Sequence, residues 1–294
     1  MNDFPLHLFL PLLAAVVYAV GALAVKRALF FGLGIWRLTF LSNLAMGLLF
    51  LPLLLLGGAE GADGRWYQPV LGGLTFLTGQ VFTFLALNKG DVSVATPVMG
   101  IKVILVAFFS TLLVAEPVSP QLWGGAFLTT LGILLLHGGL AAERRLVLPT
   151  LVLAATSAAA FALTDVLVQR WAPQWGIGHF LPLMFGCLTV FSFGFIPFFS
   201  GPLWPLPREG AGWVIGGCCL LALQALILAV TFGVFGDATA VNIVFSSRGL
   251  MSVVLVWLAG HWFTSAEQHL GRKVLTRRLC GASLLVAAIA LTLV

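Results

Sequence analysis

Long apolar runs, separated by short polar or glycine-rich connections, account for almost the whole chain. Each run is about 17–25 residues long, the length of an α-helix that crosses a hydrocarbon core about 30 Å thick. The pattern predicts about ten such helices, at residues 5–25, 35–56, 69–87, 92–114, 120–140, 147–168, 178–199, 212–234, 238–262 and 276–294. We therefore expect an all-α integral membrane protein.

Two of these runs share a pattern that ends in a cation. Residues 90–102 read GDVSVATPVMGIK and residues 236–248 read GDATAVNIVFSSR. In both, the cation lies 11 residues after the aspartate (102 − 91 and 248 − 237). A helix of that length spans roughly 16 Å, half of the hydrocarbon core. A charge at that depth costs about 2.5–3.5 kcal/mol by insertion scales, so Lys102 and Arg248 are expected to face a partner, a cavity or a ligand.

The matching patterns predict an internal repeat of five helices. Val25, Lys26 and Arg27 close the first run, and Val168, Gln169 and Arg170 close the sixth. Because five is odd, the second half must enter the membrane from the opposite side, which makes the repeat inverted. We predict repeats at residues 1–141 and 146–294 that together form one transport domain. Its binding site is expected near the midplane, where the halves meet.

The composition supports a membrane protein and gives it an orientation. Only 9% of the residues are charged and 60% are hydrophobic, whereas about a quarter of residues are charged in soluble domains. The net charge of +5 does not indicate a nucleic-acid partner, because the cations cluster beside apolar runs. Eleven of the 15 lysines and arginines lie in or beside the five connections on one side: Lys26, Arg27, Arg37, Lys89, Arg144, Arg145, Arg208, Arg272, Lys273, Arg277 and Arg278.

The opposite side holds only Arg65 and Arg170. The positive-inside rule then places the cation-rich connections in the cytoplasm and both termini outside. The expected location is a plasma membrane, the inner membrane in a bacterium, with the lipid bilayer as the surrounding partner.

Lys102 and Arg248 are the principal candidates for binding a substrate. Lysine offers a point charge and arginine a planar fork suited to carboxylate or phosphate. Asp165 is the only carboxylate well inside a predicted helix. It could be a counter-ion, a proton-coupling group or an interfacial residue near Arg170. Paired with Asp165, either cation could instead be structural. Two cations against one acid leave a net positive centre, which an anion would neutralise.

Other polar residues inside the runs are secondary candidates, either lining the site or bonding a neighbouring helix. They are Tyr18, Asn43, Gln80, Thr96, Gln224, Asn242, Ser246 and Ser247. Pro97 is expected to kink the fourth helix, as a hinge for gating or as a packing feature. Gly212 and Gly216 form a Gly-x-x-x-Gly motif that predicts a close helix contact. No metal-ligand spacing, phosphate loop or nucleophile motif is found, so we expect no metal, no cofactor and no enzyme.

One stretch resembles a known family. Residues 86–97, ALNKGDVSVATP, precede an apolar helix and the segment EPVSPQLWG at 116–124. This unit resembles the EamA-like, ten-helix branch of the drug/metabolite transporter superfamily. The second half repeats it more loosely at Gly236, Asp237 and Glu267 and at residues 280–282. The resemblance implies an alternating-access transporter with a central cavity lined by both halves. It also implies cytoplasmic termini, opposite to the charge count.

Within that superfamily, the two cations resemble the phosphate-binding residues of triose-phosphate/phosphate translocators, although neither has an adjacent Lys-Arg pair. The predicted function is therefore secondary transport of a small organic anion or amino-acid-like metabolite. One alternative is an exporter of neutral or zwitterionic metabolites or drugs, with the buried charges structural. Another is a membrane enzyme or flippase acting on a lipid-linked phosphate. The sequence makes no prediction of oligomeric state.

Overall fold

Every regular element in the described part of the chain is helical. The computed structural model describes residues 6–58, 64–89, 95, 98–114, 118–137, 144–206, 208–259 and 272–292. Six helical stretches are long and apolar enough to cross a membrane: His7–Leu29, Ile35–Leu56, Tyr67–Leu87, Val147–Trp175, Ile177–Phe198 and Ala211–Phe235. Lys102–Leu113, Pro120–Leu136 and Cys280–Leu291 are shorter apolar helices. The prediction of an all-α membrane protein is confirmed.

Each of the ten predicted runs contains helix. We number the described α-helices in chain order: α1 Leu6–Leu29, α2 Ile35–Phe50, α3 Tyr67–Lys89, α4 Lys102–Leu113, α5 Pro120–His137, α6 Arg144–Trp175, α7 Ile177–Ser192, α8 Ala211–Phe235, α9 Ala238–Phe245, α10 Arg248–Ala259 and α11 Arg272–Leu291. Short 3₁₀ segments, Leu51–Leu56 and Phe193–Phe198, extend α2 and α7. The ninth run, expected to be continuous, is divided into α9 and α10.

Helix α6 is longer than predicted. The sequence places its end at residue 168, because polar Gln169 and Arg170 follow, but the helix continues to Trp175. The polar residues of this extension are accommodated in two ways. The Gln169 side chain accepts from the backbone N–H of Ala238 (3.1 Å), and Arg170 is exposed to solvent. Asp165 consequently lies ten residues from the end of α6, well inside the helix.

The helices pack with an approximate two-fold symmetry between the halves. Helix α1 packs against α8, and α3 packs against α6 in the same way. The contact of α4 with α6 is matched by that of α10 with α1. Helices α2 and α7, and likewise α5 and α11, contact each other across the symmetry axis. This packing is what two related five-helix halves produce, and the repeat bounds 1–141 and 146–294 stay predictions.

Small residues set close helix contacts, but at positions other than the predicted Gly212 and Gly216. A Cβ at Gly132 in α5 would lie 2.9 Å from the Gly281 carbonyl oxygen, and one at Gly281 would lie 2.7 Å from that of Gly132. The contact predicted for Gly212 and Gly216 is wrong, because a Cβ at either would meet nothing within 4 Å. Gly217 instead contacts α1, since the motif spacing does not fix which face of α8 is packed.

The largest apolar core lies where α6, α7 and α8 meet. It includes Trp171 and Trp175 of α6, Phe180 and Phe185 of α7, and Phe232 of α8. The Trp175 indole N–H donates to Gln68 Oε1 (2.7 Å), so even this polar atom is satisfied. Because it also contains Phe50 of α2 and Val106 of α4, this core joins the two halves beside the central cavity.

Candidate functional site

Both midspan cations stand at the first position of a helix. Helix α4 begins at Lys102 and α10 begins at Arg248. A tightened turn precedes each: Ile101 N–H donates to the Val98 carbonyl (3.1 Å), and Ser247 N–H to the Val244 carbonyl (3.1 Å). These bonds span three residues instead of four, which marks a local 3₁₀ turn. The equal spacing read from the sequence thus corresponds to two equivalent helix interruptions.

Side-chain bonds explain the interruption between α9 and α10. The Ser246 hydroxyl donates to the Asn242 carbonyl (2.8 Å), a back-bond that competes with the helical ladder and bends helices. In the first half, the Gly100 carbonyl accepts from the Thr130 hydroxyl at 3.4 Å. Pro97, the expected cause of the kink, lies outside the described residues.

Lys102 is engaged by an acid from the other half. Its Nζ lies 2.7 Å from Asp165 Oδ2 on α6, and the Asn242 amide donates to the same oxygen (2.8 Å). Asn242 also donates to the Ala238 carbonyl (2.9 Å), which fixes its orientation. Asp165 is only 8% exposed. The Asp165 carboxylate therefore links α4, α6 and α9. Its contact with Lys102 is the one ion pair found among the described residues.

Arg248 is placed differently. Its guanidinium carbon lies 4.7 Å from the centre of the Tyr18 ring and 4.6 Å from that of Phe245. No carboxylate of the described residues lies within 4.0 Å of it. Two ring faces hold a cation by cation–π attraction without using its N–H donors. The arginine is thus held in position by two rings, while within the described residues its fork has no carboxylate partner.

A cavity of about 300 Å³ lies between the two halves and contains both cations. Among the described residues, the charged side chains that line it are Lys102, Asp165 and Arg248, which sum to one positive charge. Uncharged polar groups and aromatic rings complete the wall: Tyr18, Phe76, Gln80, Thr83, Phe84, Ser157, Phe161, Thr164, Phe185, Gln224, Phe232 and Phe245. Volume and lining fall in the range of small-molecule sites, which are mostly apolar with a few polar groups.

The predicted site residues divide into three groups. Six of them line the cavity: Tyr18, Gln80, Lys102, Asp165, Gln224 and Arg248. Four are buried but are not among its lining residues: Asn43, Asn242, Ser246 and Ser247. Thr96 and Pro97 lie outside the described residues. The structure therefore brings both cations and the acid together and places the remaining amides and hydroxyls in supporting positions.

Two glutamines on the wall differ in their partners. Gln80 exchanges two hydrogen bonds with Asn43, at 3.0 and 2.8 Å. The Oε1 of Gln224 is buried and has no hydrogen-bond partner among the described residues. An unsatisfied buried carbonyl costs about 1–3 kcal/mol, so it needs an explanation.

Three polar residues of the cavity wall are not among those predicted from the sequence: Thr83, Ser157 and Thr164. They are bonded across the α3–α6 contact, Thr83 to Ser157 (2.7 Å) and Thr164 to Thr75 (2.8 Å). The aromatic wall was missed as well. Helical spacing from the two glutamines could have found part of it, since Phe76 lies four residues before Gln80 and Phe232 lies eight after Gln224.

Comparisons with known proteins agree with this architecture. The model of the EamA-like transporter family matches residues 6–138. No curated protein matches the chain. One solved crystal structure is similar over 97% of this chain and 96% of its own, with a TM-score of 0.78 and 19% identity. At that identity the likeness shows the fold alone. Residues 6–138 therefore match the EamA-like transporter family, and the chain as a whole is an all-α, multi-pass membrane protein.

Proposed function

We propose that the protein is an alternating-access transporter of a small organic anion, bound in the central cavity at Arg248. One observation carries this proposal: Arg248 faces the cavity between two aromatic rings, with no carboxylate partner in the described part of the chain. A desolvated cation without a counter-ion is costly in a membrane, and a bound anion would remove that cost.

Lys102 has a different role in this proposal. Asp165 already neutralises it at 2.7 Å, so it adds little attraction for a second anion. The pair instead links α4 of the first half to α6 of the second, which are the parts that must move relative to each other in alternating access. Arg248 binds the substrate, and the Lys102–Asp165 pair holds one arrangement of the halves.

The test is anion uptake into proteoliposomes, with radiolabelled benzoate and N-acetyl-L-phenylalanine as first probes. Arg248→Gln is expected to raise the apparent KM about 10- to 100-fold, because a hydrogen bond to a charged group contributes about 1.5–3 kcal/mol. Arg248→Lys keeps the charge but loses the planar fork, so its apparent KM should lie between those of the parent and Arg248→Gln. The measurement is initial uptake rate against substrate concentration.

Arg170→Gln is the matched control, since Arg170 is exposed and is not among the cavity-lining residues. It should leave uptake unchanged. Anion uptake by Arg248→Gln at the parental KM would contradict the proposal. Uptake of a neutral or zwitterionic solute that is independent of Arg248 would favour the alternative transporter, in which all three charges are structural.

A further inference from the structure

The two halves treat equivalent polar groups differently. Val25 corresponds to Val168 and Lys102 to Arg248, so equivalent positions are 143 to 146 residues apart. On that offset, Gln224 is the counterpart of Gln80. Each half thus contributes one cation and one glutamine to the cavity wall.

The first-half pair is satisfied inside the protein. Lys102 has Asp165, which Asn242 also holds, and Gln80 has the complete amide of Asn43. Lys102 and Gln80 therefore both have side-chain partners within the protein.

The second half has no such partners at the equivalent positions. The counterpart of Asp165 falls at residues 19–22, which read AVGA and contain no acid. The counterpart of Asn43 falls at residues 186–189, which read GCLT and contain no amide. Consistently, Arg248 has no carboxylate and Gln224 Oε1 no donor within the described residues.

Arg248 and Gln224 both belong to the lining of the central cavity. Arg248 stands over the Tyr18 ring of α1, and Gln224 belongs to α8, which packs along α1. The rest of the lining is largely apolar, including Phe232 and Phe245. Three requirements follow for a ligand: one negative charge, one N–H or O–H donor beside it, and an apolar body.

From this asymmetry, and resting on the proposed function, we infer that the substrate is an organic monoanion with a hydrogen-bond donor next to its anionic group. The anion binds Arg248 and the donor binds Gln224 Oε1. The described side chains that line the cavity sum to one positive charge, so a single negative charge neutralises them. A dianion would leave one charge unpaired, and a neutral compound would leave Arg248 unpaired.

Matched probes separate these requirements in equilibrium binding to the purified full-length protein. N-acetyl-L-phenylalanine carries one negative charge and one amide N–H. Its N-methyl derivative lacks the donor, its carboxamide lacks the charge, and its 4-carboxy derivative has a second charge. The first should bind best. Loss of the donor is expected to weaken binding about tenfold, the effect of one typical hydrogen bond.

Gln224→Met keeps the side-chain shape and removes the acceptor, so the N–H and N-methyl probes should then bind equally. Gln174→Met, an exposed glutamine outside the cavity lining, should keep the tenfold preference. An undiminished preference in Gln224→Met, or a dianion that binds as tightly as the monoanion, would overturn the inference. Because the Gln224 Oε1 acceptor has no donor among the described residues, the melting temperature of Gln224→Met should stay within the range of Gln174→Met.

Arg248→Gln distinguishes the two proposals. If it abolishes monoanion binding while the N–H preference does not depend on Gln224, only the present inference fails. If it leaves monoanion binding unchanged, the proposed function fails.

Discussion

Gly178→Ala is expected to destabilise the protein by more than about 3 kcal/mol, at the upper end of overpacking effects. Gly178 lies in the first turn of α7, where an added Cβ would overlap the Gly57 carbonyl oxygen and lie 2.6 Å from that of Leu53. Both contacts are backbone atoms at the end of the 3₁₀ segment after α2. Neither can rotate away as a side chain would, so α2 and α7 must separate. Thermal unfolding in detergent measures the loss.

Gly186→Ala on the same helix is the matched control. A Cβ at Gly186 would meet nothing within 4 Å, and alanine is favoured over glycine in helices by about 1 kcal/mol. This variant should be as stable as the parent or slightly more stable. Equal melting temperatures for the two variants would show that α2 and α7 are not packed as described.

The apolar runs predict this fold well, because the bilayer imposes a length and a composition on each crossing helix. The run lengths alone predict the all-α membrane architecture. They do not give the break between α9 and α10. That break depends on Ser246 bonding back to Asn242, a local choice that hydropathy does not record. Likewise, the spacing of Gly212 and Gly216 gives no information about which face of α8 meets α1.

The sequence could predict that Lys102 and Arg248 share a candidate site, but not which of them pairs with Asp165. Two cations at equal distances from Asp91 and Asp237 are expected at one depth in an inverted repeat, and the structure places Lys102 and Arg248 in the lining of one cavity. Which cation takes Asp165 depends on the packing of α4 against α6, which connects residues far apart in sequence. The sequence therefore leaves Lys102 and Arg248 equivalent. Only the tertiary contacts distinguish them: Lys102 is paired with Asp165, and Arg248 has no carboxylate partner within the part of the chain that the structure describes.

Lys102→Gln is expected to destabilise the protein by about 3–5 kcal/mol, because it leaves Asp165 buried without its cation. Asp165→Asn should also be destabilising, since it leaves Lys102 unpaired. The double variant Lys102→Gln/Asp165→Asn removes both charges together and should recover most of the stability. The four melting temperatures, with the parent included, form a double-mutant cycle whose coupling energy measures the pair.

The same variants separate the structural role of Lys102 from a direct contact with substrate. Lys102→Gln lowers the net charge of the cavity from +1 to zero, whereas the double variant restores +1 with Arg248 intact. If Arg248 alone binds the anion, the Kd of the double variant for N-acetyl-L-phenylalanine should be within about threefold of the parent Kd. A tenfold change would correspond to about 1.4 kcal/mol. A double variant that is stable but no longer binds this anion would show that the Lys102 ammonium itself contacts the substrate. Since stability and binding respond to different charges here, a single set of four proteins decides whether the ion pair holds the helices or the ligand.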